Sequence, residues 1–441
     1  MKRLLPLLLC AVLALLCATT AQAAGVSITL KASEYALHYA FDAGAQDPFV
    51  ILEYATPAEK GWMMLYSADG HFEGDVSLAY SGAGGKTSVT LTSARTTGSI
   101  GKTSTTLPKA ADYQKPTGKS NAKVTDFVLT ETPEGFHYAF NAIGTDYMLF
   151  YWRSKEQTVT QPVYPDENGH YEGNVVSELT FARTQFTVQV KSGSGSMKKE
   201  ATVRKGYQAP EAPQRQEGRL SGVTVCIDAG HQENGRFVNE PIGPGLTGST
   251  SGKGGMAQGT KTNRRESIVC LEIGMLLRDE LLRQGANVIM TREDQTTFHT
   301  NIERCEIAEA GGAQIMLRLH CNNSSNHSKR GIQVYGPLNS DYAKAVADAD
   351  TYREMGQKLL DAMKTRVGMT LANSTGMVRL NDNYVGNNWA KMMCFLVEMG
   401  YLSNPAEEYL LVTPVYQQWL AEGMADGVYE IAVARGWVQA Q

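Results

Sequence analysis

Val223-Thr224-Val225-Cys226-Ile227-Asp228-Ala229-Gly230-His231 is an apolar run that stops at Asp-Ala-Gly-His. Its length and apolar content are those of a buried strand, and the Gly-His that follows reads as a turn into a loop. His231 then sits at the strand's carboxyl end, where open α/β sheets bind ligands. A histidine there is a candidate metal ligand or acid–base group rather than a core residue. The pattern recurs twice. Gln314-Ile315-Met316-Leu317-Arg318-Leu319-His320 ends in histidine, and Met393-Cys394-Phe395-Leu396-Val397-Glu398 ends in glutamate. Between the first two runs, Glu266 opens a long amphipathic helix. A single strand-end histidine is more often capped or solvated than a ligand. Two histidines and two carboxylates arriving at element ends in this order point to a shared site.

Outward from these runs the second half alternates strands and helices. Val269, Ile273, Leu276, Leu277 and Leu281 share one face of a helix from Glu266 to Gln284, with Gly285 as its stop. A strand is expected at 286–290, a short helix from Arg304 to Ala310 and a strand from Gly331 to Tyr335. Helices follow from Tyr352 to Val367, at 405–411 and at 415–435. This rhythm predicts a three-layer α/β domain with a mixed sheet over residues 220–441. Residues 232–265 form a long loop rich in Gly, Ser, Thr and Asn. It contains Gly252-Lys253 but lacks the spacing of a phosphate-binding loop.

The first half repeats itself. Leu37-His38-Tyr39-Ala40-Phe41 matches Phe136-His137-Tyr138-Ala139-Phe140. Gly70-His71-Phe72-Glu73-Gly74 matches Gly169-His170-Tyr171-Glu172-Gly173 at the same offset. Asp112–Pro116 and Gly206–Pro210 close the two copies. Short alternating runs such as Ser88–Thr92 and Gln185–Val190 predict two small all-β, sandwich-like repeat domains, at 24–118 and 119–210. The His-Phe/Tyr-Glu-Gly hairpin is a possible ligand site or a structural turn. Tyr147, Tyr151, Trp152 and Tyr164 suit carbohydrate stacking or an aromatic core equally. Residues 211–219, with Pro213, Gln214 and Gln216, read as a polar linker.

Lys2 and Arg3 precede the apolar run Leu4–Leu16, and Ala21-Gln22-Ala23 offers a cleavage site, so residues 1–23 read as a secretory signal peptide. Export to the periplasm or the cell exterior follows, with no membrane span after cleavage. Five cysteines remain beyond residue 23: Cys226, Cys270, Cys305, Cys321 and Cys394. Their number and spacing suit neither a disulfide framework nor a cysteine zinc site, and most read as buried apolar residues. Cys321, beside His320, is a minor candidate nucleophile. A net charge of −4 gives no basis for nucleic-acid binding.

DAGHQ at 228–232, Glu266 in RRES, LRLHCN at 317–322 and FLVEMGYLSNPAEE at 395–408 together resemble the zinc-dependent N-acetylmuramoyl-L-alanine amidases. The resemblance covers about residues 220–437, with Tyr401 where the family usually has phenylalanine. Glu240-Pro241-Ile242-Gly243-Pro244-Gly245 resembles an insertion found in some members and is expected to wall the substrate groove. The resemblance implies hydrolysis of the amide between N-acetylmuramic acid and the L-alanine of the peptidoglycan stem. It implies one zinc ion (Zn2+) held by His231, Glu266 and His320. A His2Glu set leaves a coordination position for water. Glu398 is the expected general base, its competing role being an ion pair with Arg318 or Arg379. Asn322, beside a ligand, is a candidate to bind substrate or to orient the site. The repeats are expected to attach the enzyme to an envelope protein or a glycan. Two other readings stay open: a secreted zinc peptidase acting on wall peptides, and an inactive wall-binding adhesin.

Overall fold

The computed structural model describes residues 19–440 apart from short intervening stretches, the longest being 110–122, 177–183 and 368–376. Eight strands come first: β1 (Thr19–Gln22), β2 (Ser27–Ala32), β3 (Ala36–Asp42), β4 (Phe49–Ala55), β5 (Lys60–Tyr66), β6 (His71–Ser77), β7 (Gly85–Ser93) and β8 (Ser99–Leu107). They make two antiparallel sheets, ordered β1-β2-β3-β6 and β5-β4-β7-β8. Alternation turns Ile28, Leu30, Leu37 and Phe41 of one sheet toward Val50, Leu52, Val89 and Leu91 of the other, in one core. β1 falls within the stretch expected as a leader, and residues 1–18 lie outside the described residues.

Seven further strands follow: β9 (Lys123–Thr132), β10 (Gly135–Ile143), β11 (Met148–Arg153), β12 (Thr158–Val163), β13 (His170–Val176), β14 (Thr184–Ser192) and β15 (Met197–Lys205). Their sheets are ordered β13-β10-β9 and β12-β11-β14-β15, the order of β2 to β8 shifted by seven strands. Phe41 stacks on Phe72 at 4.8 Å, and Phe140 stacks on Tyr171 at 4.6 Å. The motifs at 112–116 and 206–210, together with Tyr147 and Tyr164, lie outside the described residues, as do the side chains of Tyr151 and Trp152.

The second half is built on a six-stranded sheet. Its elements are β16 (Thr224–Ala229), α1 (Glu266–Arg283), β17 (Asn287–Met290), α2 (Asn301–Ala310), β18 (Ile315–Asn322), β19 (Gln333–Gly336), α3 (Asp341–Val346), α4 (Ala349–Val367), β20 (Met377–Leu380), α5 (Val385–Trp389), β21 (Met393–Tyr401), α6 (Glu407–Leu411) and α7 (Pro414–Ala434). The order is β17-β16-β18-β21-β19-β20. The first four strands run parallel, and β19 is antiparallel to β21, so the sheet is mixed as expected. α1, α4 and α7 share a core with one face of the sheet, which receives Val225, Ile227, Leu317, Leu319, Phe395 and Val397. α2 and the end of α5 cover the other face at Cys226, Met316 and Cys394.

Three details depart from the sequence reading. α2 begins three residues before Arg304, because Thr300 and Glu303 form a reciprocal capping box there. α1 is buried around nearly its whole circumference rather than along one stripe, since the sheet and α7 enclose it. β20, α3 and α5 were not anticipated, being too short to show a period.

The linker is exposed over residues 211–217, but it does not hold the two halves apart. Phe49 and Ala94 of the first sandwich belong to the core of the second half. Phe49 meets Trp419 edge-on at 5.2 Å and Tyr416 at 5.8 Å. Buried Arg330 donates to the carbonyls of Ala94 and Arg95.

Candidate active site

Strand periodicity builds the site in layers. On the face toward α2, the strands read Cys226 then Asp228, Met316 then Arg318 then His320, and Cys394 then Leu396 then Glu398. Because β18 and β21 are parallel and in register, His320 lies directly beside Glu398. Below them lies a layer holding Asp228 opposite Arg318, and below that an apolar floor. His231 follows β16, and Glu266 is the first residue of α1.

Three of the four expected residues meet. His231, Glu266 and His320 each offer a ligand atom, all within 4.8 Å of one another. His231 Nε2 and His320 Nδ1 both lie 3.0 Å from the same oxygen, Oε1 of Glu266. Burial holds the His320 imidazole down to about pKa 4, so at neutral pH it is the uncharged form that binds metals. Burial also disfavours ionised Glu266, but the hydrogen bonds with both histidines outweigh it and keep the carboxyl well below its usual range. Glu266 further accepts from the backbone N–H groups of Ala257 and Cys321, which fixes the carboxylate in place. His320 Nε2 and Glu398 Oε2 are buried without a hydrogen-bond partner. This donor set, with orphaned polar atoms around it, fits a zinc ion.

The turn carrying His231 is strained and tied down. His231 adopts φ 58°, in the left-handed region that side chains avoid. A Cβ on Gly230 would come within 2.4 Å of the Leu319 carbonyl oxygen, so only glycine fits. Two buried arginines take up the carbonyls of this turn. Arg292 donates to Ala229 and Gly230, and Arg304 donates to Ala229 and His231. Asp228, fully buried, accepts from Thr291, Arg304 and Arg318. Burial would raise its pKa, but the two guanidinium charges dominate and hold it far below the usual carboxylate range. Arg318 is therefore the partner of Asp228, not of Glu398. The sequence signal was available: opposite charges, Asp228 three residues before His231 and Arg318 two before His320, on strands that had to be neighbours.

Glu398 lines the same groove, a cavity of about 700 Å3 that also takes in Val238, Glu240, Thr250 and Ala257 of the long loop. Burial, and then the charge of Glu266, pushes Glu398 up to about pKa 8. Asn322 reaches the groove too, but its side-chain amide donates to Gln333 and accepts from the Asn323 backbone, so it organises the strand end. Cys321 points into the core, and burial raises its thiol well above the normal range, which is the opposite of an activated nucleophile. All five cysteines of the second half are free and buried.

The rest of the FLVEMGYLSNPAEE run acts as bracing. Asn404 accepts from the backbone of Ala406 and Glu407, and donates to His327. Glu407 accepts from the N–H groups of Gly331 and Tyr401. Glu408 takes the N–H groups of Lys261 and Thr262 together with the Thr260 hydroxyl. Thr260, Lys261 and Thr262 are thereby tied to α6, which follows the strand that carries Glu398.

Residues 225–430 match the sequence profile of the family described as N-acetylmuramoyl-L-alanine amidase. The germination-specific N-acetylmuramoyl-L-alanine amidase of Bacillus subtilis is 26% identical over 231 residues, covering 49% of this chain and 83% of that protein. The probable cell wall amidase LytH of Staphylococcus aureus is 27% identical over 218 residues, covering 48% of this chain and 60% of its own length. Among solved structures, the N-acetylmuramyl-L-alanine amidase Ami1 of Mycobacterium smegmatis aligns with TM-score 0.44 at 17% identity, over 49% of this chain and 100% of that one. An N-acetylmuramoyl-L-alanine amidase of Clostridium difficile 630 aligns with TM-score 0.38 at 23% identity, over 48% and 96%. Residues 225–430, which carry the two histidines and two carboxylates at element ends, thus match the N-acetylmuramoyl-L-alanine amidase family.

Proposed function

We propose that the chain is an exported, zinc-dependent peptidoglycan hydrolase that cuts the amide between N-acetylmuramic acid and L-alanine. The observation that carries the reading is the convergence of His231, Glu266 and His320 beside the unpartnered Oε2 of Glu398. The three residues would hold one zinc ion, which supplies a Lewis acid for the scissile carbonyl and an acidified water as nucleophile. Glu398 Oε2 would accept a proton from the attacking water and deliver it to the leaving amine nitrogen. Burial holds this carboxyl up without metal, and a zinc ion beside it would draw the pKa back down, which would let the same oxygen both take and give a proton near neutrality. Arg292 and Arg304 hold the His231 turn in place, and Val238, Glu240, Thr250 and Ala257 bound the stem peptide.

The proposed layout is a signal peptide at 1–23, two sandwich repeats at 24–118 and 119–210, a linker at 211–219 and the catalytic domain at 220–441. The repeats attach the enzyme to the envelope, through a partner protein or a glycan. Two weak sites on one chain raise the effective concentration without new contacts. Deleting residues 119–210 should slow digestion of intact sacculi and leave turnover of soluble muropeptides unchanged. Equal digestion of sacculi by both forms reduces the second repeat to a spacer. For the catalytic reading, the purified chain should hold zinc by elemental analysis, lose hydrolysis on chelation and regain it with zinc. Full activity in a metal-free preparation overturns it.

A further inference from the structure

The first sandwich and the catalytic half enclose a second cleft, lined by none of the residues around His231 and Glu398. Its floor is the outward face of the β5-β4-β7-β8 sheet, whose inward face holds Val50, Leu52, Val89 and Leu91. Phe49, Ile51 and Met64 point outward and are covered by α6 and α7. Farther along the strands that cover stops, and the outward residues become polar. Register sets Trp62, Glu53, Thr90 and Lys102 side by side across all four strands, a row about 14 Å long at the usual strand spacing. Lys60, Ala55, Ser88 and Ser104 make the next row.

The wall comes from the catalytic half. The Tyr409 ring of α6 lies 4.2 Å from the Trp62 ring, and Trp62 keeps 40% of its surface exposed. Lys261 lines the cleft beside them, its backbone N–H held by Glu408, the neighbour of Tyr409. The enclosed volume is about 360 Å3.

Charge and shape select the occupant. The chain carries a net charge of −4, yet these rows and their wall set Lys60, Lys102 and Lys261 against one exposed carboxylate, Glu53. Among the described residues, no carboxylate pairs with any of the three lysines. A protein partner would call for an apolar patch inside a polar rim. The apolar part of this face is already taken by α6 and α7. An exposed indole above a hydroxyl-lined floor, with cations around it, suits a ligand with flat C–H faces, many hydroxyls and negative charge. That is an anionic saccharide.

The second sandwich does not repeat the feature. Counted from hairpins of equal length, its matching row is Thr160, Tyr151, Gln189 and Glu200. Threonine stands in place of the indole, and glutamate in place of Lys102.

We propose that this cleft binds peptidoglycan glycan strands from which the stem peptides have been removed. The proposal rests on the amidase reading above, because hydrolysis of the lactyl amide leaves a carboxylate where an uncharged amide stood. Trp62 stacks on a sugar face, the three lysines pair with lactyl carboxylates, and Glu53 and Thr90 take sugar hydroxyls. The first sandwich thereby holds the enzyme on glycan already stripped, beside stems still to be cut.

The test is calorimetric binding of the full-length chain to two oligosaccharides of matched length. One is glycan stripped of its stems beforehand; the other is chitin, a chain of N-acetyl sugars without the lactyl acid. The unsubstituted chain should bind the stripped glycan about tenfold or more tightly than chitin, with an affinity that falls as salt rises. Lys60→Glu with Lys102→Glu, both at exposed positions, should remove that preference. Trp62→Ala should weaken both ligands about tenfold or more. Thr160→Ala with Gln189→Ala, in the second sandwich, should change neither. Circular dichroism verifies that the variants fold. Equal affinity for the two ligands overturns the proposal. Unchanged affinity in the lysine variant also overturns it and assigns the binding to the catalytic groove. Because the glycan is stripped beforehand, a chain that shows the preference but cannot cut the lactyl amide would refute the amidase reading and leave the cleft standing.

Discussion

Replacing Asp228 by asparagine should destabilise the catalytic half and loosen the turn that presents His231. Asp228 has no exposed surface, and Arg304 and Arg318 beside it are 5% and 4% exposed. The amide keeps the shape but turns an N–H2 group toward a guanidinium and removes the negative charge that both arginines share. Breaking a buried pair by removing one partner costs about 3–5 kcal/mol. For a unit of about 200 residues, each kcal/mol moves Tm by roughly 2–4 °C, so the expected loss is about 6–20 °C. The folded pKa of Asp228 lies far below its unfolded value, so its contribution is complete above the unfolded pKa and is lost as pH falls below it. The difference between parent and variant should therefore shrink in acid. Calorimetric melts of the metal-free chain at several pH values measure both quantities. A loss under about 1 kcal/mol at neutral pH would show that the arginines find other partners, and the layered account of the site would fail.

Glu398→Gln should retain zinc while turnover falls roughly 100- to 10,000-fold, the usual contribution of a general base; near-parental turnover removes Glu398 from the mechanism, and loss of zinc makes it a ligand. Burial pushes Glu398 up to about pKa 8 against an ordinary value of 4.5, so the unfolded chain releases its proton first and metal-free stability falls as pH rises between those limits. Glu398→Gln should flatten that slope, which melts across the range will read. Phe49→Ala should cost about 3–5 kcal/mol by opening a cavity against Trp419 and Tyr416, observed as earlier unfolding of the catalytic half. An unchanged melt would mean that the first sandwich contributes nothing to that core.

The fold of the second half was legible because its apolar runs are long and end in chemistry. The runs ending at His231, His320 and Glu398 are β16, β18 and β21, and their register could only be read once they were known to be neighbours. The supporting shell was harder to read. Arg292, Arg304 and Asp228 look like surface charges in sequence, since nothing local reveals that a strand or helix will bury them together. The sequence placed Asn322 at the site, but not its bonds to Gln333 and the Asn323 backbone, which depend on how the strand end turns. The contact between Phe49 and α7 was invisible, as an alternating strand does not announce which of its faces meets another domain. The repeated His-Phe/Tyr-Glu-Gly motif was visible, but which residues face it across the sheet depended on the pairing of β3 with β6.

The most direct test of the central claim is mass spectrometry of the products released from purified peptidoglycan by the zinc-loaded chain and by Glu398→Gln. The account predicts stem peptides that begin at a free L-alanine amine and glycan strands with intact lactyl groups, produced by the zinc-loaded chain and nearly absent with the variant. Cleavage within the stem or its cross-links, with the lactyl amide left whole, would contradict it and make the enzyme a wall peptidase.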